Sequence, residues 1–100
     1  MIKIFVVKEN EIIQSYKITG HAEFDTLGKD IVCAAVSSIT ITTINGILTL
    51  DNTAIKYVQD EEGLLIENIK KDNSTNLLLN NMDNLLHELS EDYPKNVKFI

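Results

Sequence analysis

The chain carries one cysteine, Cys33, and two histidines, His21 and His87. A thiol and an imidazole are the minimum set for nucleophilic acyl transfer. The imidazole takes the thiol proton as sulfur attacks a carbonyl, then returns a proton to the leaving amine. His21 lies twelve residues before Cys33, inside a glycine-bounded stretch from Gly20 to Lys29. A loop of that length can fold back and bring the ring to the thiol, and long loops in compact domains are often functional. Asp30 is a good N-cap, which makes Cys33 the third residue of the helix that follows. Amides at a helix start lack intrahelical partners and carry partial positive charge. A thiolate there is stabilised, and its pKa falls below the usual value of about 8.5. The competing reading is bland: a lone cysteine on an apolar helix is commonly a small buried hydrophobe.

The elements that must position these residues follow from pattern. Met1 to Lys8 is rich in Ile, Phe and Val and reads as a strand. Glu9-Asn10 makes a two-residue turn, and Glu11 to Thr19 is a second strand with period-2 alternation. Ile12, Gln14, Tyr16 and Ile18 share one face of it, and Ile13, Ser15, Lys17 and Thr19 the other. Asp30 to Leu50 runs 21 residues with no turn signal before Gly46. It is too long for a strand despite its β-branched Ser38–Ile44 stretch, so it is expected as a helix. Its apolar residues, including Ile31, Val32, Val36, Ile39, Ile41, Ile44, Ile47 and Leu48, go nearly all the way round. One sheet cannot cover every face of such a helix. The bare part, around Ile41 to Leu48, is expected to meet a second subunit.

Thr53 to Gln59 and Gly63 to Ile69 form a second hairpin around the solvated turn Asp60-Glu61-Glu62-Gly63. Asn73 to Glu91 is a helix with Leu78, Met82, Leu85, Leu86 and Leu89 in one stripe. His87 falls opposite that stripe, as a solvated residue. Pro94 ends the helix and Val97 to Ile100 closes the chain as a strand. The expected fold is α+β in the order ββαββαβ: a mixed or antiparallel sheet with two helices, a single domain over residues 1–100.

Composition narrows the function. Nine Lys, no Arg and fifteen Asp plus Glu give a net charge of −6. That opposes direct nucleic-acid binding, which needs a basic face to displace phosphate counterions. It suits a basic partner. One cysteine excludes an intrachain disulfide and fits a reducing, cytoplasmic setting. No signal peptide and no apolar run of membrane-span length is read. Two His and one Cys without paired spacing make no metal site, and no phosphate-binding glycine loop is present, so no cofactor is expected.

Gly20-His21-Ala22, five residues, Gly28, one residue, then Asp30-Ile31-Val32-Cys33-Ala34-Ala35-Val36-Ser37 is a contiguous run of about eighteen residues. It resembles the signature of the bacterial ribosomal-processing cysteine proteases, the Prp family. The resemblance implies that His21 and Cys33 form a catalytic dyad. It also implies a thiol protease active in ribosome biogenesis, which removes the N-terminal extension of large-subunit ribosomal protein L twenty-seven. Its substrate would be a basic N-terminal peptide, with aromatic residues before the cut and lysines after it. The resemblance further implies a homodimer. Glu23 and Asp25 lie close enough in sequence to favour the basic substrate.

Supporting roles are expected for Gly20 and Gly28 as hinges of the loop. Asp30 has three possible roles: the helix cap, an orienter of His21, or a contact for a substrate lysine. The cap comes first, because a carboxylate beside a thiolate opposes its ionisation. Ser37, one turn after Cys33, either bonds near the site or bonds back to a carbonyl of its own helix. The loop is expected to close on substrate, so that His21 reaches Cys33 only in the complex. Two other readings stand beside the protease. One is a noncatalytic ribosome-associated module that holds the basic peptide uncut. The other is a redox switch at Cys33, which is compatible with catalysis.

Overall fold

The computed structural model describes residues 1–20 and 30–100, with the side chain of residue 30 left aside. The elements are β1 (Ile2–Glu9), β2 (Ile12–Thr19), α1 (Asp30–Leu50), β3 (Ile55–Asp60), β4 (Gly63–Asn68), α2 (Asn73–Asp92) and β5 (Val97–Phe99). The five strands form one sheet in the order β3-β4-β2-β1-β5. All neighbours are antiparallel except β1 and β5, which run parallel with Ile2 opposite Val97. The mixed sheet and the ββαββαβ order are as expected.

The first hairpin differs from the sequence reading in two ways. Its turn is Asn10-Glu11, one residue later than expected, and both residues have positive φ (52° and 67°). Two successive left-handed residues make the turn whose twist matches paired strands. The pairing then slips: Val7 faces Ser15 but Lys8 faces Ile13, leaving Gln14 as an extra residue. Such a bulge reverses the inside–outside alternation. Ile13 therefore joins Tyr16 and Ile18 in the core, and the strict period-2 assignment fails at this point.

The inner face of the sheet presents Ile2, Ile4, Tyr16, Ile18, Leu64 and Ile66, packed with residues of both helices in one core. On α1 the buried residues are Val32, Cys33, Val36, Thr40, Ile44 and Ile47, a single stripe at helical spacing. Thr40 is accommodated there because its hydroxyl donates to the carbonyls of Val36 (2.9 Å) and Ser37 (3.1 Å). The helix is thus not buried all round. Ile44 and Ile47, expected at a subunit contact, belong to its own core, while Ile31, Ile41 and Leu50 are exposed. By length and composition, Ile31 to Leu50 is apolar enough to cross a bilayer. The sequence reading finds no such run because Ser, Thr and Asn interrupt it.

On α2 the stripe is rotated from the expected one. Thr75, Leu79, Met82, Asp83 and Leu86 are buried, Leu78 and Leu89 are partly buried, and Leu85 is exposed. The rotation brings a carboxylate inward. Asp83, only 4% exposed, accepts a hydrogen bond from the Tyr16 hydroxyl (2.9 Å). Lys8 Nζ lies 3.5 Å from its other oxygen. His87 is not simply solvated: its Nε2 is 3.4 Å from Asp83, and its ring stacks on Phe99 at 3.6 Å. The helix is capped by Asp72, whose side chain accepts from the Thr75 amide.

This network sets a pH dependence. Burial, then the charge of Asp83 and its hydrogen bond, hold the Tyr16 hydroxyl far above the ordinary value of 10.0. In the unfolded chain Tyr16 ionises near pH 10, while in the fold it stays neutral. Its raised folded pKa means that stability is intact below about pH 10 and is lost as pH rises above it. Thermal unfolding followed from pH 8 to 11 is expected to show that decline, and Tyr16→Phe to flatten it.

Candidate active site

α1 begins at Asp30 itself. Cys33 follows three residues further along the helix, and the cap expected at Asp30 turns on a side chain outside the described residues. Cys33 still lies in the first turn, where the helix dipole favours an anion. The residue is 7% exposed and belongs to the core cluster that includes Val32 and Val36. Ser37 follows one turn later and is half-buried. Its carbonyl accepts from Thr40. No hydrogen bond from its hydroxyl appears among the described residues.

His21 and Gly28 lie outside the described residues, as does the rest of the stretch 21–29. The geometry of the His21–Cys33 pair and the closure expected of that stretch are therefore not part of the described fold. What is described is the frame on both sides of it. β2 ends at Thr19, and nine residues separate Gly20 from Asp30, where α1 begins. The fold thus ties the segment between the end of a central strand and the turn that carries Cys33.

Gly20 is held to glycine by its own backbone. Its φ is +82°, and a Cβ at this position would fall on the Met1 carbonyl oxygen. Both the backbone angle and the close approach require glycine. Gly20→Ala is expected to cost about 1–3 kcal/mol of stability, from strain that the neighbouring backbone cannot relieve. Urea unfolding with an unchanged slope and a lower midpoint checks this.

The β3–β4 turn approaches the same place. Met1, Lys3, Thr19, Gly20, Glu61 and Glu62 line one open groove of about 590 Å³. Asp60 shapes that turn by accepting from the amides of Glu62 (2.8 Å) and Gly63 (3.3 Å). Sequence reasoning alone makes Asp60-Glu61-Glu62 a solvated turn. Its place beside Gly20 depends on the β2–β4 pairing of Thr19 with Gly63, which joins residues distant in sequence. Among the described residues no group of His, Cys, Asp and Glu could hold a metal ion.

Comparison with known proteins agrees with this frame. The model of the family described as cysteine protease Prp matches residues 1–98. Among solved structures, the essential ribosomal processing protease Prp from S. aureus in complex with a substrate peptide has a TM-score of 0.89 and 25% identity, covering 100% of this chain and 98% of that one. The same protease in complex with a covalently linked product peptide has a TM-score of 0.87 and 25% identity, over 99% of this chain and 97% of that one. SMU.848 from Streptococcus mutans has a TM-score of 0.88 and 28% identity, over 99% of this chain and 91% of that one. No curated protein matches the sequence. With the family model spanning nearly the whole chain, and the fold shared with a protease solved with its peptides, this chain belongs to the Prp family of cysteine proteases.

Proposed function

We propose that this protease uses a Cys33–His21 dyad to remove the N-terminal extension of large-subunit ribosomal protein L twenty-seven. The observation that carries the reading is the place of Cys33: the only thiol in the chain stands in the first turn of α1, directly after the segment that holds His21. Cys33 Sγ attacks the scissile carbonyl carbon as His21 takes the thiol proton. The tetrahedral intermediate collapses, the C–N bond breaks, and the proton passes to the leaving amine. Water then cleaves the thioester, with His21 as base, and releases the acid product. Amides at the start of α1 are suited to hold the oxyanion.

The substrate reading is a basic peptide. The net charge of −6 supports it, as do Glu61 and Glu62 in the groove beside Gly20. Gly28 and Asp30 belong to the same reading as parts of the segment and of the helix start. The catalytic unit is one domain over residues 1–100, cytoplasmic and homodimeric. It needs no cofactor and no metal, and neither nucleic acid nor membrane takes part.

Mass spectrometry of the ribosomal protein, incubated with and without the enzyme, tests the reading. The expected result is one cut that removes a short N-terminal peptide. A module that only holds the peptide would return it uncut in a single-turnover assay, and that result overturns the proposal.

A further inference from the structure

The sheet has a second face, turned away from both helices. Ile2 and Val97 are neighbours across the parallel β1–β5 pair, and both are buried in the core. Strand alternation therefore turns the next pair, Lys3 and Lys98, outward and side by side. On the antiparallel side of β1, Lys3 faces Thr19 and Phe5 faces Lys17. The Lys17 ammonium stands 5.8 Å from the centre of the Phe5 ring, which favours it there. Lys3, Lys17 and Lys98 are all exposed.

These three lysines form a positive patch on a chain of net charge −6. Among the described residues none of them has an ion pair; the lysines that do are Lys8 and Lys70. The rest of the face is matched differently. Lys56 lies opposite Glu67 across β3 and β4. Asp60 ends the row Lys98–Lys3–Thr19–Gly63–Asp60, three strands away from Lys3, and accepts from the amides of its own turn. Glu61 and Glu62 share a groove with Lys3, yet neither pairs with it.

Like charges side by side on a sheet cost stability. Lysine on an edge strand blunts the edge, and this accounts for Lys98 on β5. It does not account for Lys3 and Lys17, which stand on the interior strands β1 and β2. An anion seated among the three turns repulsion into attraction. Spacing and net charge select that anion. Lys3 and Lys17 are diagonal neighbours on paired strands, about 7–8 Å apart. Same-face residues of an extended chain recur about every 7 Å, so carboxylates at alternate residues of a peptide match this spacing. A nucleic-acid strand fits poorly. Its phosphates continue past three lysines toward Asp60, Glu62 and Glu67, and the field of an acidic chain opposes it. We propose that this sheet face docks an extended acidic segment of a partner protein, whose alternate carboxylates contact Lys3, Lys17 and Lys98.

The surface is separate from the proposed chemistry. α1, which carries Cys33, packs on the other face of the sheet. The proposal therefore does not rest on the protease reading. A basic substrate and an acidic partner would occupy surfaces of opposite sign on one domain. Contacts between exposed charges are screened by salt, so a weak, salt-sensitive and reversible complex is expected.

Fluorescence anisotropy of a labelled peptide, five repeats of Glu-Thr, titrated with the full chain at low salt gives the test. Saturable binding is expected, and its loss as salt is raised. Lys17→Glu and Lys98→Glu should each weaken it about tenfold. Lys56→Glu, on the same face but beside Glu67, should change it less than about twofold. Lys98→Glu also converts a like-charge pair with Lys3 into an opposite one. It should therefore raise the thermal midpoint by about 1–4 °C while it weakens the peptide. No saturable binding to the wild type, or an equal loss on Lys56→Glu, overturns the proposal. A uridine decanucleotide that binds more tightly than the peptide through the same lysines overturns it as well. So does a lowered midpoint in Lys98→Glu, because the lysine then serves the fold and not a partner.

Discussion

Cys33→Ala is expected to abolish peptide cleavage while leaving the protein folded and able to bind its substrate. The thiol is the atom that forms the acyl-enzyme, so its loss removes the covalent route and not merely one contact. A fall in turnover of at least about a thousandfold is expected, as for other enzymes that lose their nucleophile. The structural cost is small. Cys33 is 7% exposed in the core beside Val32 and Val36. Alanine there removes one sulfur atom, favours the helix, and costs on the order of 1 kcal/mol. Stability from thermal unfolding, peptide binding and cleavage should therefore separate cleanly. Cleavage by Cys33→Ala near the wild-type rate would place the nucleophile elsewhere. His21→Ala is expected to lower cleavage comparably and also to slow alkylation of Cys33 near neutral pH, because the imidazole is the base that yields the thiolate.

Asp83→Ala is expected to have the largest effect on stability without touching the proposed dyad. Its carboxylate is the acceptor for the Tyr16 hydroxyl at 2.9 Å, and Tyr16 is completely buried. It is also the counter-charge for Lys8, and His87 lies within 3.4 Å. Removing the carboxylate leaves a buried hydroxyl with no acceptor and strips Lys8 of its partner. Breaking a buried polar set in this way costs about 3 kcal/mol. In a chain of this size that lowers the thermal midpoint by roughly 12–24 °C. Asp83→Asn keeps an acceptor for Tyr16 and should cost clearly less. Tyr16→Phe with Asp83→Ala should cost less than the sum of the two singles, because the orphaned hydroxyl is gone. If Asp83→Ala unfolds within about 0.5 kcal/mol of the wild type, the carboxylate is not the anchor of this network.

The exposed ion pair of the fold behaves differently. Asp51 accepts from Lys70 at 2.7 Å and from Thr53, and these contacts bring its carboxyl down to about 2. The pair is open to water, so its pull on stability is weak. What it contributes persists at neutral pH and is lost only as pH falls toward 2.

Local chemistry was enough to read the element order from the sequence. Apolar β-branched runs, a 21-residue stretch with no turn signal before Gly46 and a leucine-rich helix ended by Pro94 each declare their own type, because propensity and periodicity act within a few residues. The candidate dyad came from a resemblance carried by one contiguous run, Gly20 to Ser37, and the placing of His21 against Cys33 lies outside the described residues. Tertiary structure decided what lies between elements. The bulge at Gln14 exists only in the pairing of β1 with β2, so nothing in the sequence of β2 announces that Ile13 turns inward. Asp83 is buried because Tyr16 and Lys8, more than sixty residues away, offer it a donor and a charge. That bond outweighs the cost of burying a carboxylate, and it rotates α2 from the leucine stripe toward Leu79. The Asp60–Glu62 turn reaches Gly20 through the register of β4 on β2. In α1 the sequence showed apolar residues all round. Which of them are covered was decided by the area that one sheet and one neighbouring helix can supply, and that area buries a stripe and leaves the remainder to solvent or to a partner.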